Sequence, residues 1–168
     1  NQTEPTPSTE NEIKSLINEL NPKKSPGPDH ISNKMIQETP FSAAILADQI
    51  NDTLRLGQFP ADWKIAEMIF APKPGKDHEL TSSYRGISMV SNNAKIAEKV
   101  INSRIIEFAK NDPKILHPHQ YGFRQGKSTI DALYDIKTTI DKQLKKGYVA
   151  LISFDVKGAF DRAWWPAI

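Results

Sequence analysis

Apolar residues along this chain change their spacing several times, and each change marks a predicted element. Ile13, Leu16, Ile17 and Leu20 follow the period of one helix face. Thr9 followed by Glu12 has the spacing of a capping box that starts this helix, and Asn21-Pro22 ends it. The stretch from Lys23 to Asp29 holds two prolines and a glycine, so it reads as a loop. A second helix is predicted from about Phe41 to Leu56, stopped by Gly57.

The period then shortens. Lys64 to Phe70 and Tyr84 to Val90 read as two strands joined through Pro72-Lys73-Pro74-Gly75-Lys76-Asp77, a hairpin with a basic tip. A helix from about Asn92 to Lys110 follows, with Ala97, Ile101, Ile105 and Phe108 expected on one face. Pro113 to Lys127 is irregular. Ser128 with Asp131 opens another helix, whose apolar stripe is Ile130, Leu133, Ile136, Ile140 and Leu144. Lys145-Lys146-Gly147 closes it, with cations at the negative end of the helix dipole. Tyr148 to Phe154 is apolar on both faces apart from Ser153, which predicts a central strand. Asp155 stands at its end, before a turn carrying Gly158. The resulting fold class is α+β.

Composition adds limits. The chain has 168 residues, enough for about one domain. It is 38% hydrophobic and 25% charged, within the ordinary range of globular proteins. It holds no cysteine, which excludes disulfides and cysteine-ligated zinc. No apolar run is long enough to suggest a membrane span, and no signal peptide is recognisable. Asn1 stands where a complete chain would begin with methionine, so the first residues are expected to continue something longer. Net charge is only +2, but it is unevenly spread: −3 over residues 1–60, +4 over 61–130 and +1 over 131–168. The positive middle segment suits contact with phosphates, or is simply a solvated surface.

Three groups of residues could carry chemistry. Asp155, after an apolar strand and before Phe160-Asp161, could hold a hard cation, since magnesium takes carboxylates together with substrate phosphates. An aspartate there could equally cap the next helix. Lys73, Lys76 and Arg85 on a hairpin could grip a triphosphate, or could be an ordinary solvated turn. Gln120-Tyr121-Gly122-Phe123-Arg124 could stack bases and hold a backbone, or could pack aromatics into a core. His117 and His119 lie too close on one loop to specify a metal site.

The order of these segments resembles one family. Lys24 to Ile31 resembles the K-x-PG-PD-x-I opening of non-LTR (LINE-type, jockey-like) retrotransposon reverse transcriptases. Pro72 to Asp77 with Tyr84-Arg85-Gly86-Ile87-Ser88 resembles their fingers hairpin, and Ala94 to Lys99 the helix after it. Gln120 to Arg124 with Ser128-Thr129 resembles the Q-x-GFR-x3-ST segment. Phe154 to Asp161 resembles the first catalytic-aspartate motif. Five segments in order, over roughly residues 10–165, make chance a poor explanation.

The resemblance implies an RNA-directed DNA polymerase that adds deoxynucleotides to a primer 3′-hydroxyl on an RNA template. It implies residues 1–20 as an N-terminal helix and linker, 21–147 as the fingers, and 148–168 as the start of the palm. Asp155 would be catalytic and a metal ligand beside the Val156 carbonyl, with magnesium, or manganese in its place, as the metal. Lys73 and Arg85 would contact the triphosphate, and Phe160 would select against a 2′-hydroxyl. Lys23, Lys24, Gln120, Gly122 and Arg124 would follow the template. RNA template, DNA primer and deoxynucleotides would be the partners, with no membrane. An endonuclease upstream, and the rest of palm and thumb downstream, are expected elsewhere in the same polyprotein. The expected location is intracellular, as a ribonucleoprotein of nucleus and cytoplasm.

Two departures qualify the match. Gly86 replaces the family's usual proline and is expected to loosen the hairpin. The family's second aspartate pair is not found, so these 168 residues alone are expected not to polymerise. A catalytically silent RNA-binding remnant and a group II intron maturase relative are the competing readings, and the PGPD and GFR…ST segments favour the retrotransposon class.

Overall fold

The computed structural model describes residues 5–110, 114–156, 158–159 and 162–164. The chain divides into two compact units, Asn1–Ile115 and Leu116–Ile168. Helices and one antiparallel two-stranded sheet make a mixed α and β fold.

The first unit is a helical body with a hairpin. Helix α1 spans Glu10–Asn18, α2 spans Asn33–Glu38, α3 spans Ser42–Leu56 and α4 spans Asn92–Lys110. Thr9 caps α1 by accepting the Glu12 N–H at 3.2 Å. Glu12 does not complete the predicted box with its side chain; its carboxylate goes to Arg104 instead. Ser32 caps α2 in the same manner as Thr9, and α2 is too short for its period to announce it. Gly57 ends α3 in the left-handed conformation, as predicted.

The core joins all four helices. Ile13 and Ile17 of α1, Ile36 of α2, Leu46 and Ile50 of α3, and Ile96 and Val100 of α4 meet in one buried cluster. Phe59 and Trp63 pack against it, with their rings edge to face at 5.5 Å. Each fully buried aliphatic side chain here contributes on the order of 1.5–3 kcal/mol. The predicted face of α4 is only partly right. Ala97 is buried, but Ile105 and Phe108 are 58% and 73% exposed. The buried face runs through Asn92, Ile96 and Val100, spaced one helical turn apart, with Ala97 beside it.

Strand β1 (Ala66–Pro72) and strand β2 (Tyr84–Val90) form the hairpin. The register runs unbroken from Ala66↔Val90 to Pro72↔Tyr84. Gly86 therefore does not open the ladder. It stands opposite Phe70, and the Met68 sulfur covers the space where a Cβ would be, at 2.8 Å.

The second unit contains α5, Thr129–Leu144. Its capping box is complete: Asp131 N–H donates to Ser128 Oγ, and Asp131 Oδ2 accepts from Ser128 N–H. The predicted apolar stripe lies on the surface, with Ile130 75% and Leu133 65% exposed. The strand predicted over Tyr148–Phe154 is a correction. These residues have no ladder and are exposed, Phe154 at 89%. An apolar run becomes a strand only when another strand takes its N–H and C=O groups, and no such partner exists among the described residues.

Candidate functional site

The hairpin positions the first candidate cations. Side chains alternate across a strand, so Ile69 and Ala71 of β1 share a face with their partners Ile87 and Arg85. Lys73 follows directly on β1, and its N–H donates to Ser83 O at 2.7 Å. Arg85 thus stands on β2, and Lys73 directly after the end of β1, on the same hairpin. The Lys73 ammonium also donates to Ser82 O at 2.7 Å, which ties the lysine to the returning limb and leaves two of its three donors for other acceptors. Lys76 is fully on the surface at the tip. The tip is braced by Asp77, whose side chain accepts from Glu79 N–H at 3.0 Å, and by Tyr84, whose hydroxyl donates to His78 O at 3.0 Å.

Lys23 and Lys24 are exposed on the loop between α1 and α2. Asn21 shapes this loop by accepting from Lys23 N–H through its side chain and from Lys24 N–H through its carbonyl.

The second unit holds the other candidate loop. Gln120 is folded back on it, donating to Gly122 O at 3.1 Å, and Arg124 donates to His117 O at 3.1 Å. Phe123 has a left-handed backbone, φ 57°, and a fully exposed ring. A non-glycine residue held in that region is strained, a feature that clusters at ligand sites. Asp135 of α5 anchors the loop: its Oδ2 accepts the Tyr121 hydroxyl at 2.9 Å and lies 2.7 Å from His119 Nδ1. The Tyr121 hydrogen bond, then that of His119, holds the Asp135 carboxyl below the ordinary carboxylate range. The same bond pushes the Tyr121 phenol up. The Lys127 ammonium sits over the Tyr121 ring at 5.3 Å from its centroid. Nothing in the local pattern marked His119, Tyr121 or Asp135 as a set; the link becomes visible only when the loop is laid against the helix.

Asp155 and Val156 are exposed and lie in irregular backbone, not at a strand end. Phe160 falls outside the described residues. Among the described residues no group of three or more acidic, histidine or cysteine side chains is assembled for a metal ion. Among them, too, no helix is long and apolar enough to cross a membrane. Lys23, Lys24, Lys73 and Arg85 belong to the first unit, and Gln120, Gly122, Arg124, Asp155 and Val156 to the second.

These placements can be set beside known proteins. The family model described as reverse transcriptase (RNA-dependent DNA polymerase) matches residues 71–168, from the end of β1 onward. The chain belongs to the reverse transcriptase family. Its curated relatives include the "Probable RNA-directed DNA polymerase from transposon BS" of Drosophila melanogaster, 37% identical over 91% of this chain and 17% of that protein. The "RNA-directed DNA polymerase from mobile element jockey" of Drosophila funebris is 34% identical over 96% of this chain and 18% of that protein. A transposon X-element relative from Drosophila melanogaster is 32% identical over 95% and 18%. Each of these three relatives is named as an RNA-directed DNA polymerase, or probable one, of a transposon or mobile element. This reverse transcriptase chain spans about a sixth of the length of the relatives it matches. Members of the family use divalent metal ions and nucleic-acid substrates.

Proposed function

We propose that this chain is the fingers and early-palm part of an RNA-directed DNA polymerase of a non-LTR retrotransposon, with fingers over residues 21–147 and the palm beginning at 148. The observation that supports the reading is the β1–β2 hairpin, which carries Arg85 on β2 and Lys73 directly after β1, both within the match to the family model. Two cations on one hairpin suit a deoxynucleoside triphosphate, because arginine offers a fork of donors to phosphate oxygens and lysine a compact charge. Lys23, Lys24, Gln120, Gly122 and Arg124 are the proposed template contacts, and Phe160 the proposed contact to the incoming sugar. An RNA template and a DNA primer are the partners, in a ribonucleoprotein of nucleus and cytoplasm.

The reaction is attack of the primer 3′-hydroxyl on the α-phosphate, with release of pyrophosphate. The residues of this chain bind the triphosphate, hold it in line and offset the charge that builds on its oxygens. Asp155, with the Val156 carbonyl, would hold magnesium. The donor type fits, since magnesium accepts one carboxylate together with substrate oxygens. When bound, the ion would offset negative charge on the phosphates.

The test is primer extension on an RNA template by the complete reading frame that contains this chain. Extension that requires a divalent ion and is lost in Asp155→Ala supports the proposal. Extension that survives Asp155→Ala at the wild-type rate refutes the role of Asp155, and a complete protein that extends no primer on RNA refutes the function.

A further inference from the structure

The hairpin leaves the helical body with most of its strand residues exposed, so its direction is set at its root. One side of that root is Val90-Ser91, where β2 passes directly into α4. The loop following α1 is fastened there. Gly27 O accepts from His30 N–H at 3.0 Å, closing a turn with Pro28 at its second position. Gly27 lies so close to the strand end that a Cβ would come within 2.5 Å of the Val90 carbonyl carbon and oxygen. Only glycine fits such an approach. Asp29 then spans the junction with both oxygens: Oδ1 accepts from Ile31 N–H at 3.2 Å, and Oδ2 accepts from the Ser91 hydroxyl at 2.6 Å. Ser91 is 2% exposed, and its Oγ also accepts from Asn93 N–H in the first turn of α4. Asn92, 1% exposed, completes the closure by donating to Ile31 O at 2.9 Å. His30 carries the strain, with φ 56°.

We propose that Asp29 is a positioning residue. Through Ser91 it ties the loop that carries Lys23 and Lys24 to the root of the hairpin that carries Lys73 and Arg85. Both sets of cations then meet one bound nucleic acid at a fixed spacing. The PGPD segment, on this account, is a latch between two binding surfaces and does not itself touch the nucleic acid. The inference rests on the nucleic-acid reading above.

The experiment measures binding of a labelled single-stranded RNA to the 168-residue chain across a salt series, together with amide hydrogen exchange over Tyr84–Val90. Asp29→Ala is expected to weaken binding about fivefold and to flatten the dependence of log affinity on log salt by about 0.7 for each phosphate that the variant no longer neutralises. It should also speed exchange in β2. Asp29→Asn keeps an acceptor for Ile31 N–H and offers an amide donor to Ser91 Oγ, so it should bind as wild type. Ile50→Val lowers stability in the core without touching the latch, and should change neither the salt slope nor β2 exchange. Ser91→Ala deletes the same bond from the other side, together with the Asn93 N–H bond to Ser91 Oγ, and takes the place of Asp29→Ala if that variant does not fold. Unchanged slope and unchanged β2 exchange in both latch variants would overturn the proposal. A wild-type chain that does not bind the RNA would overturn the nucleic-acid reading and the latch's role in it, whereas β2 exchange would still report the mechanical tie by itself.

Discussion

Arg104 grips both carboxylate oxygens of Glu12, at 2.8 and 2.7 Å, across 92 residues of sequence. The pair joins the first turn of α1 to the middle of α4, and Arg104 Nε also donates to Thr6 O at 3.2 Å. Two parallel charge-assisted bonds fix orientation as well as distance. The hydrogen bond from Arg104 holds the Glu12 carboxyl below its ordinary value of 4.5.

The sign of the resulting pH dependence follows. A carboxyl with a lowered folded pKa contributes stability that is present above the unfolded value and is lost as pH falls through the folded one. The first unit should therefore lose stability as pH drops below about 4.5. In Glu12→Gln that acid slope should flatten, with a loss at neutral pH of about 1 kcal/mol, given the pair's partial exposure. Urea midpoints measured from neutral to acid pH check both expectations. An identical acid slope in the variant would count against the pair.

Core and surface apolar residues should separate cleanly. Ile50 is fully buried and Leu133 is 65% exposed. Ile50→Ala should cost about 2–5 kcal/mol, the range for a buried large-to-small change. Leu133→Ala should stay within about 0.5 kcal/mol. Chemical denaturation of the two variants decides it. A large loss from Leu133→Ala would mean that the stripe of α5 is covered.

Gly27→Ala should be costly although alanine is the smallest possible addition. The new Cβ would meet backbone atoms of Val90 and Ser91, which cannot swing aside as a side chain can. Overpacking of this kind costs about 1–3 kcal/mol. Gly86→Ala should be milder, because the obstructing atom is the flexible end of Met68. Thermal melts that rank the two variants the other way round would contradict this account of the hairpin root.

Asp135→Ala should lower the pKa of the Tyr121 phenol back toward the ordinary 10.0, since the bond to Asp135 is the main cause of its upward shift. Ultraviolet titration of the tyrosines, compared with a Tyr121→Phe reference, reads this directly. A Tyr121 transition unchanged by Asp135→Ala would mean that the loop does not rest on α5.

Much of the secondary structure was legible in the sequence because its signals are local. Thr9 and the Ser128/Asp131 pair mark helix ends through bonds made within one turn, Gly57 does so through its left-handed backbone, and the structure places those ends there. The hairpin was legible because its two strands flank the turn-forming Pro72-Lys73-Pro74-Gly75 segment and pair with each other. The family was legible because five motifs keep their order. What the sequence could not decide was which apolar residues find a partner. Ile105, Phe108, Leu133 and Phe154 are as apolar as Ile50 and Ile96, yet only the latter two are buried. Burial depends on what stands opposite, and a strand on a second strand to take its hydrogen bonds; neither is written in the segment itself. The tertiary structure alone drew Glu12 away from its capping box to Arg104, put Asp135 under the Tyr121 loop, and closed Asp29 on Ser91. Each of those links joins residues distant along the chain, and only folding supplies the proximity that lets their charges and hydrogen bonds act.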